Sequence, residues 1–138
     1  IPLPAGSFAE QKYQLLISGT DTALALAKKS DLLFGFGTDR QGNPALAARQ
    51  GAQLAQLARY YEPWEVLKIA TSQNYQIFKR SGPRDPYPGD NGVVREGAYA
   101  DLILVDGNPL ENIDLIADPE KNFVIIMKDG VIYKNTIE

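Results

Sequence analysis

Hydrophobic positions at helical spacing dominate the first part of the chain. The stretch from Phe8 to Ile17 has helical character, and the polar cluster at residues 20–22 offers an N-cap for a second helix. Lys28 and Lys29 at the end of that second helix would complement its C-terminal dipole. The pattern therefore predicts two helices before residue 30.

A short apolar run then interrupts the helical pattern. Leu32 to Phe34 is uninterrupted, Gly35 and Gly37 follow, and the run ends at Thr38 and Asp39. Apolar side chains on both faces are typical of a parallel strand that is covered by helices, whereas a half-exposed strand would alternate. We predict a short buried strand that delivers Asp39 to a loop.

The pattern returns to helices after this loop. Asn43 can cap a helix whose first residue is Pro44, a position where the missing N–H costs nothing. The apolar face of this helix comprises Leu46, Leu54, Leu57 and Tyr61. Further helices are predicted from Trp64 to Ala70 and from Tyr75 to Lys79.

Residues 81–91, SGPRDPYPGDN, hold three prolines and two glycines and are predicted to separate two parts of the chain. The apolar runs beyond them are strand-sized: Val93–Val94, Leu102–Val105, Phe123–Met127 and Val131–Tyr133. The Asp-Gly pair at residues 129–130 is a strong hairpin signal. The first part is thus predicted to be parallel α/β and the second antiparallel β.

Composition narrows the function classes only slightly. A net charge of -3 argues against a duplex nucleic-acid surface, and no apolar run approaches the length of a membrane helix. We therefore expect a soluble protein whose partners are small molecules or proteins. The absence of Cys excludes disulfides and thiolate-bound zinc but leaves cytoplasm and periplasm equally open.

Three segments resemble the amidohydrolase superfamily. LLFGFGTD, residues 32–39, is similar to the eighth barrel strand, whose catalytic aspartate follows a Gly-Thr or Gly-Ser pair. GVVREGAYADLILVDGNPLENI, residues 92–113, and NFVIIMKDGVIYKN, residues 122–135, look like the small β-domain of the same proteins. The imidazolonepropionase-related branch, which includes Xaa-Pro dipeptidase-like enzymes, gives the best match.

This resemblance implies a fold and a reaction. Residues 1–90 would be the C-terminal part of a (β/α)8 TIM-like barrel, and residues 91–138 antiparallel strands of a small composite β-sandwich domain. The parent would hydrolyse amide-type C–N bonds, in a dipeptide or cyclic amide, with metal-activated water. Asp39 would be metal ligand and proton acceptor, and the divalent metal would be zinc. Apart from the resemblance, the guanidinium of Arg40 is a candidate to bind a substrate carboxylate, although a solvated surface charge is the favoured interpretation. No other cofactor is expected.

The absence of His sets this chain apart from the family pattern. Such a metal is held by histidines from earlier barrel strands, and a complete barrel needs about 250 residues. We therefore expect this chain to be a fragment that lacks the N-terminal barrel segment. By itself it is expected to be inactive and to bind no metal. Its first residue, Ile1, agrees with a processed or truncated chain. We also expect self-association, as a homo-oligomer.

Other interpretations stay open for several of these residues. Asp39 can simply support a turn, and Arg40 can be a solvated surface charge. Gly35 and Gly37 lack the remaining residues of a nucleotide-binding loop and are better explained by close packing of the strand or by space left in a pocket. The carboxylates Asp101, Asp106 and Glu111 could suggest a metal cluster and are better interpreted as turn and edge residues. The aromatic residues Tyr60, Tyr61 and Trp64 could line a ligand pocket and are better interpreted as packing, in the core or at an interface. A non-catalytic scaffold or binding protein of the same fold is the alternative function.

Overall fold

A computed structural model of the chain describes residues 2–39, 42 and 44–137. Helices and strands are both present, and the chain divides into two compact units, Ile1–Leu33 and Phe34–Glu138. None of the helices among the described residues is long and apolar enough to cross a membrane. The predicted domain boundary between residues 90 and 91 and the assignment to a barrel stay predictions.

The first unit contains one long helix, α1, which spans Phe8–Lys29. The side chain of Ser7 caps it by accepting a hydrogen bond from the Glu10 N–H at 3.2 Å. The predicted break at residues 20–22 is wrong. The hydroxyls of Thr20 and Thr22 donate to the carbonyls of Leu16 and Ser18, one turn back, so they extend the helix rather than start a new one.

The helices of the second unit are short. They are α2 (Pro44–Ala47), α3 (Gln50–Ala55), α4 (Pro63–Lys68), α5 (Asn74–Lys79) and α6 (Pro119–Asn122). Tighter 3-10 turns span Gln56–Arg59, Gly82–Arg84 and Ile113–Ala117, and a π-helical turn, Ile69–Gln73, joins α4 to α5.

The single long helix predicted after Pro44 is therefore divided into shorter elements. Gly51 marks the place where another part of the backbone comes close: a Cβ built there would lie 1.9 Å from the carbonyl oxygen of Ile116. Glycine permits this approach, and it also weakens a helix by about 1 kcal/mol relative to alanine. The predicted cap, Asn43, lies outside the described residues.

Three antiparallel strands form one sheet in the order β1-β2-β3: β1 is Leu102–Val105, β2 is Phe123–Lys128 and β3 is Val131–Asn135. Leu102 pairs with Met127, and Met127 in turn pairs with Ile132. Asp129 and Gly130 join β2 to β3 with φ of 50° and 77°, as a tight hairpin turn requires. These three strands and their hairpin confirm the prediction.

Two other predicted strands do not form. Residues 32–39 have no regular secondary structure, because a parallel strand needs a neighbouring strand and none of the described strands pairs with them. Val93 and Val94 also lie outside any strand. Gly92 and Gly97, with φ of 67° and 82°, turn the chain on either side of them.

The core of the second unit lies among its helices. Val66 is fully buried, and the other buried apolar residues are Ala55, Tyr61, Ile69, Ile113 and Ile116. The sheet is different, since Leu102, Ile103 and Leu104 of β1 and Val131, Ile132 and Tyr133 of β3 are exposed.

Candidate active-site segment

Asp39 is the last residue of an irregular segment, residues 32–39, and is the predicted catalytic residue. Its side chain is exposed and its backbone is left-handed, with φ of 48°. Aspartate adopts this conformation more readily than most residues. None of the described residues makes a hydrogen bond or ion pair with the carboxylate. Both of its oxygens are therefore open to a ligand, as far as the described residues go.

The predicted substrate-binding residue, Arg40, lies outside the described residues. Its contact with a substrate carboxylate stays a prediction. The turn-supporting role of Asp39 also stays open, because three of the next four positions, residues 40, 41 and 43, lie outside the described residues as well.

Asn74, the first residue of α5, holds the segment through hydrogen bonds to the backbone of Phe36. The Phe36 N–H donates to Asn74 Oδ1 at 2.9 Å, and Asn74 Nδ2 donates to the Phe36 carbonyl oxygen at 2.9 Å. Asn74 Nδ2 also lies 3.3 Å from the Ala70 carbonyl oxygen. One side chain thus satisfies both backbone polar groups of a residue 38 positions earlier in the chain.

Two further contacts fix the same segment. The ring of Phe34 stacks on that of buried Tyr61, with 6.1 Å between centroids and 12° between planes. A Cβ built on Gly35 would lie 2.5 Å from Ile77 Cδ1 and 2.6 Å from Asn74 Oδ1. Glycine at this position therefore lets the backbone lie directly against α5, in agreement with the close-packing interpretation.

The π-helical turn immediately precedes Asn74. It ends at Gln73, whose buried Oε1 has no hydrogen-bond partner among the described residues. Such turns widen the helical ladder by one residue and are frequent at functional sites. On the other side of the turn, a Cβ on Gly92 would lie 2.6 Å from the Thr71 carbonyl oxygen. The turn is thus packed closely against the returning chain.

Asp90 connects α5 to the proline-rich segment. The Tyr75 hydroxyl donates to one carboxylate oxygen of Asp90, and Arg95 donates to the other. The distance from Arg95 Nε to Asp90 Oδ2 is 3.0 Å. The hydrogen bond from Tyr75, and after it that from Arg95, lowers the pKa of Asp90. The same bond raises the pKa of the Tyr75 hydroxyl, because it stabilises the protonated phenol.

A second ion pair ties α5 to the same segment. Lys79 Nζ lies 2.8 Å from Asp85 Oδ2 and donates to the Tyr87 carbonyl oxygen. The Lys79 ammonium lowers the pKa of Asp85, with help from the Tyr87 N–H, and Asp85 raises the pKa of Lys79. The segment predicted as a simple boundary is therefore fastened to the helix that carries Asn74.

The described residues do not form a complete metal site. The sequence has no His, and the described residues contain no group of three or more His, Cys, Asp or Glu that could hold a metal ion. Asp101 and Asp106 flank β1 at opposite ends, and Asp101 Oδ1 accepts a hydrogen bond from the Asp129 N–H at 2.6 Å. The interpretation of these two carboxylates as turn and edge residues is confirmed.

The aromatic residues near the helix junction divide into two kinds. Tyr61 is buried against Phe34, as the packing interpretation requires. Trp64 is 53% exposed, with the Lys68 ammonium 6.0 Å from its ring, so it does not pack in the core, and packing at an interface stays a prediction. Neither residue reaches Asp39 through a described contact.

Sequence reasoning missed Asn74 and the cluster formed by Tyr75, Lys79, Asp85, Asp90 and Arg95. Asn74 carries no local signal, since its partner is 38 residues away. The cluster had one available signal: Tyr75 and Lys79 are four residues apart on one helix face, and acidic residues follow in a segment too rich in proline to be regular.

Comparisons with known proteins identify the family. The amidohydrolase family model matches residues 7–137. A solved amidohydrolase structure is 30% identical, with a TM-score of 0.70 over 85% of this chain. A prolidase structure in complex with N-methylphosphonate-L-proline is 29% identical, with a TM-score of 0.69 over 83% of the chain. The ochratoxinase of A. niger is 26% identical, with a TM-score of 0.74 over 91%.

These matches cover only part of each relative. The chain spans 26% of the amidohydrolase and prolidase chains and 27% of the ochratoxinase chain. No curated protein matches the chain. The family match nevertheless extends from α1 to the end of the β2–β3 hairpin, and this chain belongs to the amidohydrolase family.

Proposed function

We propose that this chain is part of a hydrolase of amide-type C–N bonds, in which Asp39 is one ligand of a divalent metal and accepts the proton of the attacking water. The observation that carries this proposal is an exposed carboxylate at the end of a segment that α5 anchors on both backbone groups of Phe36. It occurs in a chain of a family that is generally metal-dependent.

The chemistry needs a carboxylate of this kind. Water attacks a carbonyl carbon poorly unless a base takes its proton as the new bond forms. A divalent metal, when bound, would lower the pKa of that water and polarise the carbonyl. No described residue bonds to either carboxylate oxygen of Asp39, so one oxygen can bind the metal while the other accepts the proton.

Zinc is the metal that we propose, and the chain alone is proposed to be inactive. Catalytic zinc normally has three protein ligands, and a single carboxylate cannot hold it in place. The remaining ligands would be histidines of an N-terminal barrel segment.

The substrate is proposed to be a dipeptide or a cyclic amide. The solved prolidase carries a proline-based phosphonate, and its resemblance to this chain supports the Xaa-Pro dipeptidase-like branch. The proposed role of Arg40, one residue after Asp39, is to bind a carboxylate of such a substrate with its two-pronged guanidinium.

The exposed strands β1 and β3 support the proposed partners. Their apolar side chains are of the kind that folded proteins normally cover, and both strands leave an edge of the sheet unpaired among the described residues. We propose that the N-terminal segment of the full-length protein covers them and that the whole protein is a homo-oligomer.

The experiment compares two aspartates with the same backbone conformation in the full-length protein. Asp31 is also exposed and also has φ of 48°, so Asp31→Asn is a matched control for Asp39→Asn. We expect Asp39→Asn to lower kcat for amide hydrolysis by roughly 10²- to 10⁴-fold, because the amide cannot accept the proton. Asp31→Asn should stay within about twofold, as expected for a surface position.

Equal activity of the two variants would overturn the role of Asp39. A full-length wild-type protein that binds no metal and hydrolyses no amide would instead favour a non-catalytic scaffold. Metal-dependent hydrolysis by the purified 138-residue chain would contradict the proposed division of the site.

A further inference from the structure

We propose that Asn74 is a positioning residue for Asp39, because its side-chain amide holds the backbone of Phe36 on both sides, three residues before the carboxylate. This inference rests on the proposed function of Asp39. Asn74 touches neither a metal nor a substrate in this account, and it acts through the segment that ends at Asp39.

The side chain of Asn74 makes the hydrogen bonds to Phe36 that a neighbouring strand would otherwise make. In an antiparallel sheet, a residue in a hydrogen-bonded pair exchanges one N–H and one C=O bond with the residue opposite. Asn74 gives Phe36 the same pair of bonds, both 2.9 Å long, from one amide group. Only a side chain with a donor and an acceptor in one plane can do this, which excludes aspartate, leucine and alanine.

The anchor is itself held in place. Asn74 follows the π-helical turn, and its Nδ2 also lies 3.3 Å from the Ala70 carbonyl oxygen. The next residue, Tyr75, is bonded to Asp90. Asn74 is therefore fixed by its own helix and, through its neighbour, by the proline-rich segment.

The segment between anchor and carboxylate is short. Only Gly37 and Thr38 separate Phe36 from Asp39, and no atom of the described residues lies within 4 Å of a Cβ built on Gly37. No close contact at Gly37 would therefore hold Asp39 if the bonds at Phe36 were lost. A displacement of about 1 Å at a reacting group can cost roughly 10²-fold in rate.

The test uses the full-length protein with Asn74→Asp, Asn74→Ala and Gln76→Ala. Gln76 is exposed on the same helix and is the matched control. We expect both Asn74 variants to lower kcat by roughly 10- to 100-fold with KM within about twofold, because the carboxylate is displaced while the substrate pocket remains. Hydrogen exchange should rise in a peptide covering residues 32–39, and Gln76→Ala should change neither quantity.

Two results would overturn the proposal. In the first, exchange in residues 32–39 rises while kcat is unchanged, so that the anchor is structural only. In the second, exchange in residues 32–39 does not change. If the Asn74 variants fail to fold, Gly35→Ala perturbs the anchor from the other side, since its Cβ would lie 2.6 Å from Asn74 Oδ1. Gly19→Ala, on α1, is then the control, because no described atom lies within 4 Å of a Cβ built there, and equal kcat values would reject the proposal.

Failure of this inference can be told apart from failure of the proposed function. If Asp39→Asn keeps full activity, the proposed function fails whatever Asn74 does. If Asp39→Asn is inactive while Asn74→Asp keeps its kcat, only the positioning role fails.

Discussion

The Asp39 segment and the β2–β3 hairpin satisfy their backbone hydrogen bonds in different ways. Strand β2 is followed by Asp129 and Gly130, whose positive φ returns the chain to β3 at once. The Asp39 segment has its partner, Asn74, 38 residues after Phe36. One region is held by contacts close in sequence and the other by contacts distant in sequence.

The difference shows what an apolar run does and does not determine. Such a run favours burial and disfavours a solvated loop, but a strand also needs a neighbour for its backbone N–H and C=O groups. A hairpin carries that neighbour with it. A parallel strand depends on another part of the chain, and here a side-chain amide takes that place at one residue.

The largest expected effect comes from the core that supports the anchored segment. Ile69 is 3% exposed in the π-helical turn, whereas Ile103 of β1 is 54% exposed. Ile69→Ala should lower the free energy of unfolding by about 2–5 kcal/mol, because it leaves a cavity. Ile103→Ala should cost about 1 kcal/mol or less. Urea denaturation measures both, and equal losses would contradict the assignment of the core to the helices.

A methyl group at Gly35 should break the anchored segment selectively. Gly35→Ala places a Cβ 2.5 Å from Ile77 Cδ1, so we expect a loss of about 1–3 kcal/mol in the free energy of unfolding. The added Cβ of Gly37→Ala meets no atom of the described residues within 4 Å, so this variant should stay within about 0.5 kcal/mol. Thermal unfolding compares the two, and similar behaviour would mean that the segment does not lie against α5.

Gly130→Ala should weaken the hairpin and leave the Asp39 segment intact. Its φ of 77° suits glycine, and alanine there costs about 1 kcal/mol. Asp129→Asn is the control, because asparagine tolerates the left-handed conformation. Hydrogen exchange should increase in residues 123–135 and stay constant in residues 32–39. A parallel increase in both would show that the two regions are not independently held.

Acid should loosen the attachment of α5 to the proline-rich segment, with the smallest effect of the four. The pKa values of Asp85 and Asp90 are lowered in the folded state, so their contribution is complete above the ordinary value of 3.8 and is lost as pH falls through the folded values. Stability should therefore decrease below about pH 4. Urea midpoints between about pH 6 and pH 2.5 measure this, and Asp90→Asn should flatten the decrease, because its amide takes up no proton in this range. An unchanged pH dependence in Asp90→Asn would contradict this role of Asp90.

The sequence predicted the hairpin, β1 and the helical character of α1 because those features depend on neighbours in the chain. It failed at residues 20–22, where threonine hydroxyls bond back along the helix, and after Pro44, where Gly51 admits the backbone of Ile116. Threonine can cap a helix or lie within one, and glycine can lie within a helix or mark a close approach of another part of the backbone. Composition and spacing do not decide between these alternatives.

The candidate site was predictable only where it is local. Asp39 could be predicted as a site residue from its position after an apolar run and from the family resemblance. Its side chain is exposed in the structure. Asn74 could not, because nothing near it in sequence indicates a partner at Phe36. The parts of a site that position other residues are generally the nonlocal ones, and they require coordinates.

The most direct test of the central claim is a crystal structure of the full-length protein grown with zinc. We predict an Asp39 carboxylate oxygen about 2.0–2.2 Å from the metal, with histidines as the other protein ligands. Asn74 should remain bonded to both backbone groups of Phe36 in that structure. A zinc ion held entirely by other residues, with Asp39 turned away from it, would contradict the account.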